Sequence, residues 1–176
     1  MGKIHKHLPV KLFSAITYQH SINIQSLFTI MERKFSVIEI KSEPYDFSAF
    51  TDYYKKEMGE DLQKLFIVFA SLIEPEALPS IKLETNKIET EQIKGAGRGV
   101  NIDPGYITQA KLVLATTKNY SHRLYLGQGI FGDLHMQFGK GSFNPQPWTY
   151  PDYQQKNMIE FFNTVRQRYL EQLEYN

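Results

Sequence analysis

The chain has 176 residues, 41% hydrophobic and 14% aromatic, enough to bury one sizeable core within a single domain. Its 20 basic and 19 acidic residues leave a formal charge of +1, so no bulk field draws the chain to DNA or to an anionic membrane. The absence of cysteine excludes disulfides, a thiolate nucleophile and a cysteine zinc site, suits a reducing cytoplasm, and leaves histidine and carboxylate as the metal-ligand candidates.

The opening "MGKIHKHLPV" is basic without an apolar signal region, and no run approaches the roughly 20 apolar residues of a membrane span. Residues 1–10 read as a flexible tail in which His5 and His7 are solvated, residues 11–176 as one globular domain, and the protein as cytoplasmic. "KLFSAITY" reads as a strand. A helix follows from an Asn23 cap, with Ile24, Leu27, Phe28, Met31 and Phe35 on one stripe. "SVIEI" is a second strand, and "SEPYDFSAFTDYYKKEMGED" a long loop or interrupted element. "LQKLFIVFASLI" fits a helix through Leu62, Leu65, Phe66, Phe69 and Ile73, and a buried strand over 65–70; the strand is the reading adopted. Pro75 opens a helix whose stripe is Leu78, Ile81, Thr85 and Ile88, with Lys82, Glu84 and Glu89 away from it, ending near Ile93 ahead of "KGAGRG".

The remainder reads as a β-meander. "VNI" leads into a turn at Asp103, Pro104, Gly105 and Tyr106, followed by the strands "KLVLATTK", "HRLYL" and "IFGDLHMQF". In the last strand Ile130, Leu134, Met136 and Phe138 face one way, while Phe131, Asp133, His135 and Gln137 face the other, in a groove shared with Arg123 and Tyr125. A final helix carries Met158, Phe161, Phe162, Val165, Tyr169 and Leu173 as its apolar stripe. The order predicts an α+β fold: a ferredoxin-like βαββαβ core extended by an antiparallel hairpin, with the C-terminal helix packed on the sheet.

Several chemistries lack their residues. Two-histidine phosphoesterases need paired His-x-Thr/Ser motifs, whereas His20, His122 and His135 are followed two positions on by Ile22, Leu124 and Gln137. "FGKGS" places Gly141 where a P-loop needs Ser or Thr, and "GAGRG" precedes a strand instead of a helix.

The segments "TDYYKKEMG", "IKLETNKIE", "GRGVNIDPGYIT", "KLVLATTKNYSHRLYLGQGIF" and "WTYPDY" occur in this order, and together they resemble the domain-of-unknown-function 4416 family of bacteria and archaea over residues 11–169. Some members of that family carry automatic labels as GTP-binding proteins. The resemblance implies no catalytic residues.

The candidate site residues therefore come from their own chemistry. Arg98, between Gly97 and Gly99, can offer a guanidinium to a phosphate or carboxylate, or simply lie in a loop entering a strand. Lys118, His122 and Arg123 surround a hairpin tip within reach of one anion, or form a solvated hairpin. Asp103, Asp133 and His135 are weak catalytic candidates, able to support a divalent metal ion or proton transfer; the alternatives are a turn carboxylate and ordinary polar side chains. Tyr53 and Tyr54 can flank an aromatic ligand or pack on the sheet. Two functions follow: binding or processing a phosphorylated small molecule or nucleotide, or a non-catalytic module for a protein or single-stranded RNA partner. They differ in whether these blocks meet in one pocket.

Overall fold

The computed structural model describes residues 2–93 and 97–174. Lys94 and the start of the glycine-rich loop before Arg98 lie outside them. The elements are β1 (Val10–Tyr18), α1 (Ile24–Lys34), β2 (Ile38–Lys41), β3 (Tyr45–Asp46), the short helix α2 (Lys55–Met58), β4 (Gln63–Ile73), a 3-10 turn (Pro75–Ala77), α3 (Leu78–Glu91), β5 (Val100–Ile107), β6 (Lys111–Thr116), β7 (Arg123–Gly127), β8 (Ile130–Gly139), β9 (Ser142–Pro145) and α4 (Lys156–Glu174). The nine strands form one antiparallel sheet of order β2-β4-β1-β5-β6-β8-β7, with β3 on β4 and β9 on β8.

All nine residues of β1 are buried, because alternate side chains feed two cores on opposite faces of the sheet. Leu12 and Ile16 join Leu65, Ile67, Phe69 and Ile102 beneath α1 and α3. Phe13 and Ala15 join Phe66, Leu114, Met136 and Phe143 beneath α4, whose Met158, Phe162, Val165 and Tyr169 are its buried stripe. The molecule is therefore helix layer, sheet, helix layer. Asn23 caps α1 through its side chain, which accepts from Ser26 N–H at 3.1 Å, as its position before the stripe predicts. "LQKLFIVFASLI" is the strand β4.

Three local expectations give way to tertiary structure. Asp103, Pro104, Gly105 and Tyr106 are not a turn; they lie inside β5, opposite Ala15, Ser14, Phe13 and Leu12 of β1. The chain reverses after Ile107 instead, where Thr108 N–H and Lys111 O pair. Gly105 is needed for close approach: a Cβ there would lie 2.5 Å from Val113 O and 2.7 Å from the Phe13 ring. Pro104 is tolerated in a central strand because β6 pairs with β5 only from Gly105 to Ile107. Before Gly105 that side of β5 has no strand partner, and a residue without an N–H loses nothing there.

The second correction concerns α3. Lys82 and Glu89, set off the apolar stripe, are nevertheless buried; their side chains are 6% and 5% exposed. They sit seven residues apart, on one side of the helix, and face the unpaired edge of β5. Lys82 Nζ donates to Ile102 O at 2.7 Å and Glu89 Oε1 accepts from Ile102 N–H at 2.8 Å. Two charged side chains thus satisfy the backbone groups that a neighbouring strand would otherwise pair.

The third lies in β8, where Leu112 pairs with Met136 but Val113 with Leu134. The extra residue is a β-bulge. Leu134 packs with Leu78 and Val113 on the α3 side, whereas Met136 joins the core under α4, so the regular alternation of apolar side chains along β8 is broken at His135.

A candidate ligand pocket where the sheet opens

The separation of β5 from β6 leaves a cavity of about 690 Å³, within the range of small-molecule sites. Its walls are the edge of β5 with Arg98, Asn101 and Asp103; the inner side of α3 with Lys82 and Glu89; the segment before β4 with Tyr53, Tyr54 and Glu57; the β6–β7 connection with Lys118, Tyr120 and Arg123, which is not the hairpin tip expected because β6 and β7 each pair with β8 between them; and Asp133, Tyr150 and Asp152 from the far side. The three sequence blocks that carry Tyr53, Arg98 and Lys118 meet here.

Most charges in the wall are paired. Arg98 Nη1 donates to Glu89 Oε2 at 2.5 Å and Nη2 to Glu57 Oε2 at 3.2 Å. Its Nε is 3.1 Å from Glu57 Oε1, but poorly aligned and without a hydrogen bond. Asp103 accepts from Lys82 Nζ at 3.0 Å and from Asn101 Nδ2 at 2.7 Å. Burial raises the Asp103 pKa, but the Lys82 charge and these hydrogen bonds outweigh it and hold the carboxyl below its ordinary value. For Glu89 burial wins over the Lys82 charge and the Ile102 hydrogen bond, and its pKa is raised.

Deeper, Lys64 Nζ lies 2.5 Å from Asp152 Oδ2, which also accepts from the Tyr45 hydroxyl at 2.8 Å. The ammonium is ringed by Phe47, Phe66 and Tyr153 at 4.7–5.6 Å, close enough for cation–π attraction. Lys118 differs from these cations: among the described residues it has no carboxylate partner, and its Nζ stands 4.5 Å over the Tyr53 ring at the exposed rim.

Asp133 is a hub. Arg123 Nε donates to its Oδ2 at 2.9 Å, His122 Nε2 is 3.3 Å from the same oxygen, and His135 Nδ1 is 3.3 Å from Oδ1. Burial raises its pKa, but the His135 and Arg123 interactions prevail and lower it. His135 is fully buried. Its Nε2 accepts from Tyr150 N–H at 3.1 Å, which leaves the proton on Nδ1 to be donated to Asp133. Burial lowers its pKa, against the opposing pull of Asp133.

Arg98, Asp103, Lys118, Arg123 and Asp133 therefore line one pocket. His122 sits behind it, stacked on Trp148 at 4.6 Å, and His135 lies behind Asp133 between the rings of Tyr150 and Tyr153. Tyr125 is 64% exposed and packs on Phe131, outside the group. Among the described residues no group of three or more His, Asp or Glu side chains is arranged to hold a metal ion. Lys64, Lys82, Glu89, Tyr150 and Asp152 join the site without having been singled out by motif. The sequence signal for Lys64 is a charge set between Leu62 and Leu65 at the start of an apolar strand. For Lys82 and Glu89 it is the seven-residue spacing on a helix.

A family model described as a domain of unknown function (DUF4416) matches residues 8–169. No curated protein and no solved structure matches the chain. No described helix is long and apolar enough to cross a membrane.

Proposed function

Since the chain belongs to the DUF4416 family, whose match over residues 8–169 contains every residue of the pocket wall, we propose that this pocket is the working site of the family domain and that it binds a phosphorylated small molecule. The carrying observation is convergence. Blocks around Tyr53, Arg98 and Lys118, far apart in sequence, build one cavity of about 690 Å³. Aromatic rings line a ligand's flat part, and Lys118 offers the rim a cation that no carboxylate among the described residues neutralises.

A thermal-shift panel of nucleotides, sugar phosphates and short RNA, with and without magnesium or manganese, tests this reading. A ligand at about 100 times its dissociation constant adds roughly 2.7 kcal/mol, and each kcal/mol raises the midpoint by about 2–4 °C in a chain of this size. Lys118→Gln should reduce the shift while leaving the free midpoint nearly unchanged, because its side chain is exposed. Arg98 and Arg123 are poor probes: removing either leaves Glu89 or Asp133, both nearly fully buried, short of a cation. A panel without any shift, or a full response in Lys118→Gln, sinks the reading.

The same proposal covers two finer points. The antiparallel order β2-β4-β1-β5, with α1 after β1 and α3 after β4, supports a ferredoxin-like core to which β6–β9 and α4 are added. The lack of cysteine supports a cytoplasmic location. The alternative of an interaction module for a protein or single-stranded RNA has one observation in its favour: Leu124 and Tyr125 are 75% and 64% exposed on the outermost strand, β7. A silent ligand panel would favour it.

A further inference from the structure

The charges within the pocket are paired, and the unpaired one stands at its rim. Lys64 pairs with Asp152 and Arg123 with Asp133. Lys82 and Arg98 share three carboxylates, the inner Asp103 and Glu89 and the half-exposed Glu57. At the rim Lys118 has no carboxylate partner among the described residues.

Of the three carboxylates, Glu89 has both oxygens committed, Oε1 to Ile102 N–H and Oε2 to Arg98. Glu57 is at the outer end, 54% exposed. Asp103 is 29% exposed and uses one oxygen for Lys82 and the other for Asn101, so each oxygen keeps capacity for a further donor. Asp103 also acts on the phenols of Tyr54 and Tyr150, both of which burial, with this charge adding to it, holds protonated above the ordinary tyrosine range. The Tyr54 hydroxyl has no hydrogen-bond partner among the described residues. Toward solvent, Tyr54 meets Tyr53 edge-on at 4.8 Å, and Tyr53 lies under Lys118.

We infer that the ligand is dipolar, with an amino or similar N–H donor group seated on Asp103 and an anionic group seated on Lys118. This rests on the reading of the pocket as a site for a phosphorylated small molecule, and it adds the chemistry of the ligand's other end. A phosphate alone satisfies the rim and leaves unused both the acceptor capacity that Asp103 keeps beyond Lys82 and Asn101 and the Tyr54 hydroxyl. A donor group at that depth completes both, and because the acceptor is charged the bond is of the stronger kind.

Calorimetric titration with two matched pairs tests the inference: pyridoxamine 5′-phosphate against pyridoxine 5′-phosphate, and adenosine 5′-monophosphate against purine riboside 5′-monophosphate. Each pair differs at one amino group. In the unaltered protein the amino compound of at least one pair should bind about tenfold more tightly or better. Asp103→Asn should remove that ratio, and Lys118→Gln should weaken both members of the pair alike. Tyr54→Phe retains every ion pair in the wall and should narrow the ratio, which keeps the test decisive if Asp103→Asn does not fold. If the phosphates bind but the members of each pair agree within about twofold, or if the ratio survives in full in Tyr54→Phe or in a folded Asp103→Asn, the inference falls while phosphate binding stands. If none of the four compounds binds while the wider phosphate panel raises the midpoint, the inference falls alone; if neither responds, both fall.

Discussion

His135 shows how a residue type associated with catalysis becomes part of the frame. Its two nitrogens are engaged by Tyr150 N–H and Asp133, and its carbonyl accepts from the Thr149 hydroxyl. The charges that bear on it are Asp133 and Asp152, which favour protonation, and Lys64, which opposes it; burial outweighs them and lowers its pKa from 6.5. A folded-state pKa below the unfolded one means that the unfolded chain takes up the proton first as pH falls. The stability His135 contributes should thus be intact above about pH 6.5 and decline below it. Asp133, whose folded pKa is depressed, loses its contribution only at lower pH, from about 3.8 downward. Denaturant titrations between pH 7.5 and 5 should show the first decline, and His135→Gln should flatten it; an unchanged slope would mean that His135 does not titrate as argued. Strand spacing is enough to place Asp133 and His135 on one face. It cannot reveal that the Thr149–Tyr153 stretch closes over the histidine, because that stretch belongs to a loop whose docking is set by tertiary packing.

At the level of elements, the pairing of α3 with the open edge of β5 is the feature that makes the pocket. Glu89→Ala would leave Ile102 N–H without an acceptor and take a shared carboxylate from Lys82 and Arg98. The expected loss is about 3–5 kcal/mol, the range for breaking a buried ion pair on one side. Glu89→Gln keeps an acceptor for Ile102 and should cost less. Equal losses in urea titrations of the two variants would show that the negative charge, which both lack, and not the backbone cap, is what Glu89 provides. The periodicity of Leu78, Ile81, Thr85 and Ile88 makes α3 legible, but it assumes a helix facing apolar surface. Here one flank faces bare strand backbone, so charged residues point inward. In β5 the local chemistry of Asp-Pro-Gly favours a turn, and only the pairing with β1 overrides it.

For the molecule as a whole, α4 is the cover of the core that holds Phe13, Phe66, Met136 and Phe143. Phe162 meets Phe13 of β1, Phe66 of β4 and Tyr153 at ring-centroid distances of 5.0–5.6 Å. Phe162→Ala should therefore remove about 3–5 kcal/mol. Because its contacts join the C-terminal helix to strands of the first half of the chain, the midpoint of a single transition should move, with no new intermediate step. A change below about 1 kcal/mol in a denaturant titration would mean that the helix is not docked in this way. The succession of strands and helices, and the apolar stripe of α4, are legible in the sequence because they rest on local period. The strand order is not, since it depends on partners many residues apart, and neither is the pocket, which exists only where two of those partners part.

The central place of β1 has a consequence for how the chain is made. It precedes the other described strands in the chain and is buried on both faces, yet its neighbours are β4, ending at Ile73, and β5, ending at Ile107. At roughly 5–20 residues per second, the edge of β1 that pairs with β5 waits on the order of ten seconds for its partner to be made, and the edge that pairs with β4 a shorter time. Native pairing of β1 is necessarily late, and during that interval the newborn chain depends on whatever shields those edges from other chains.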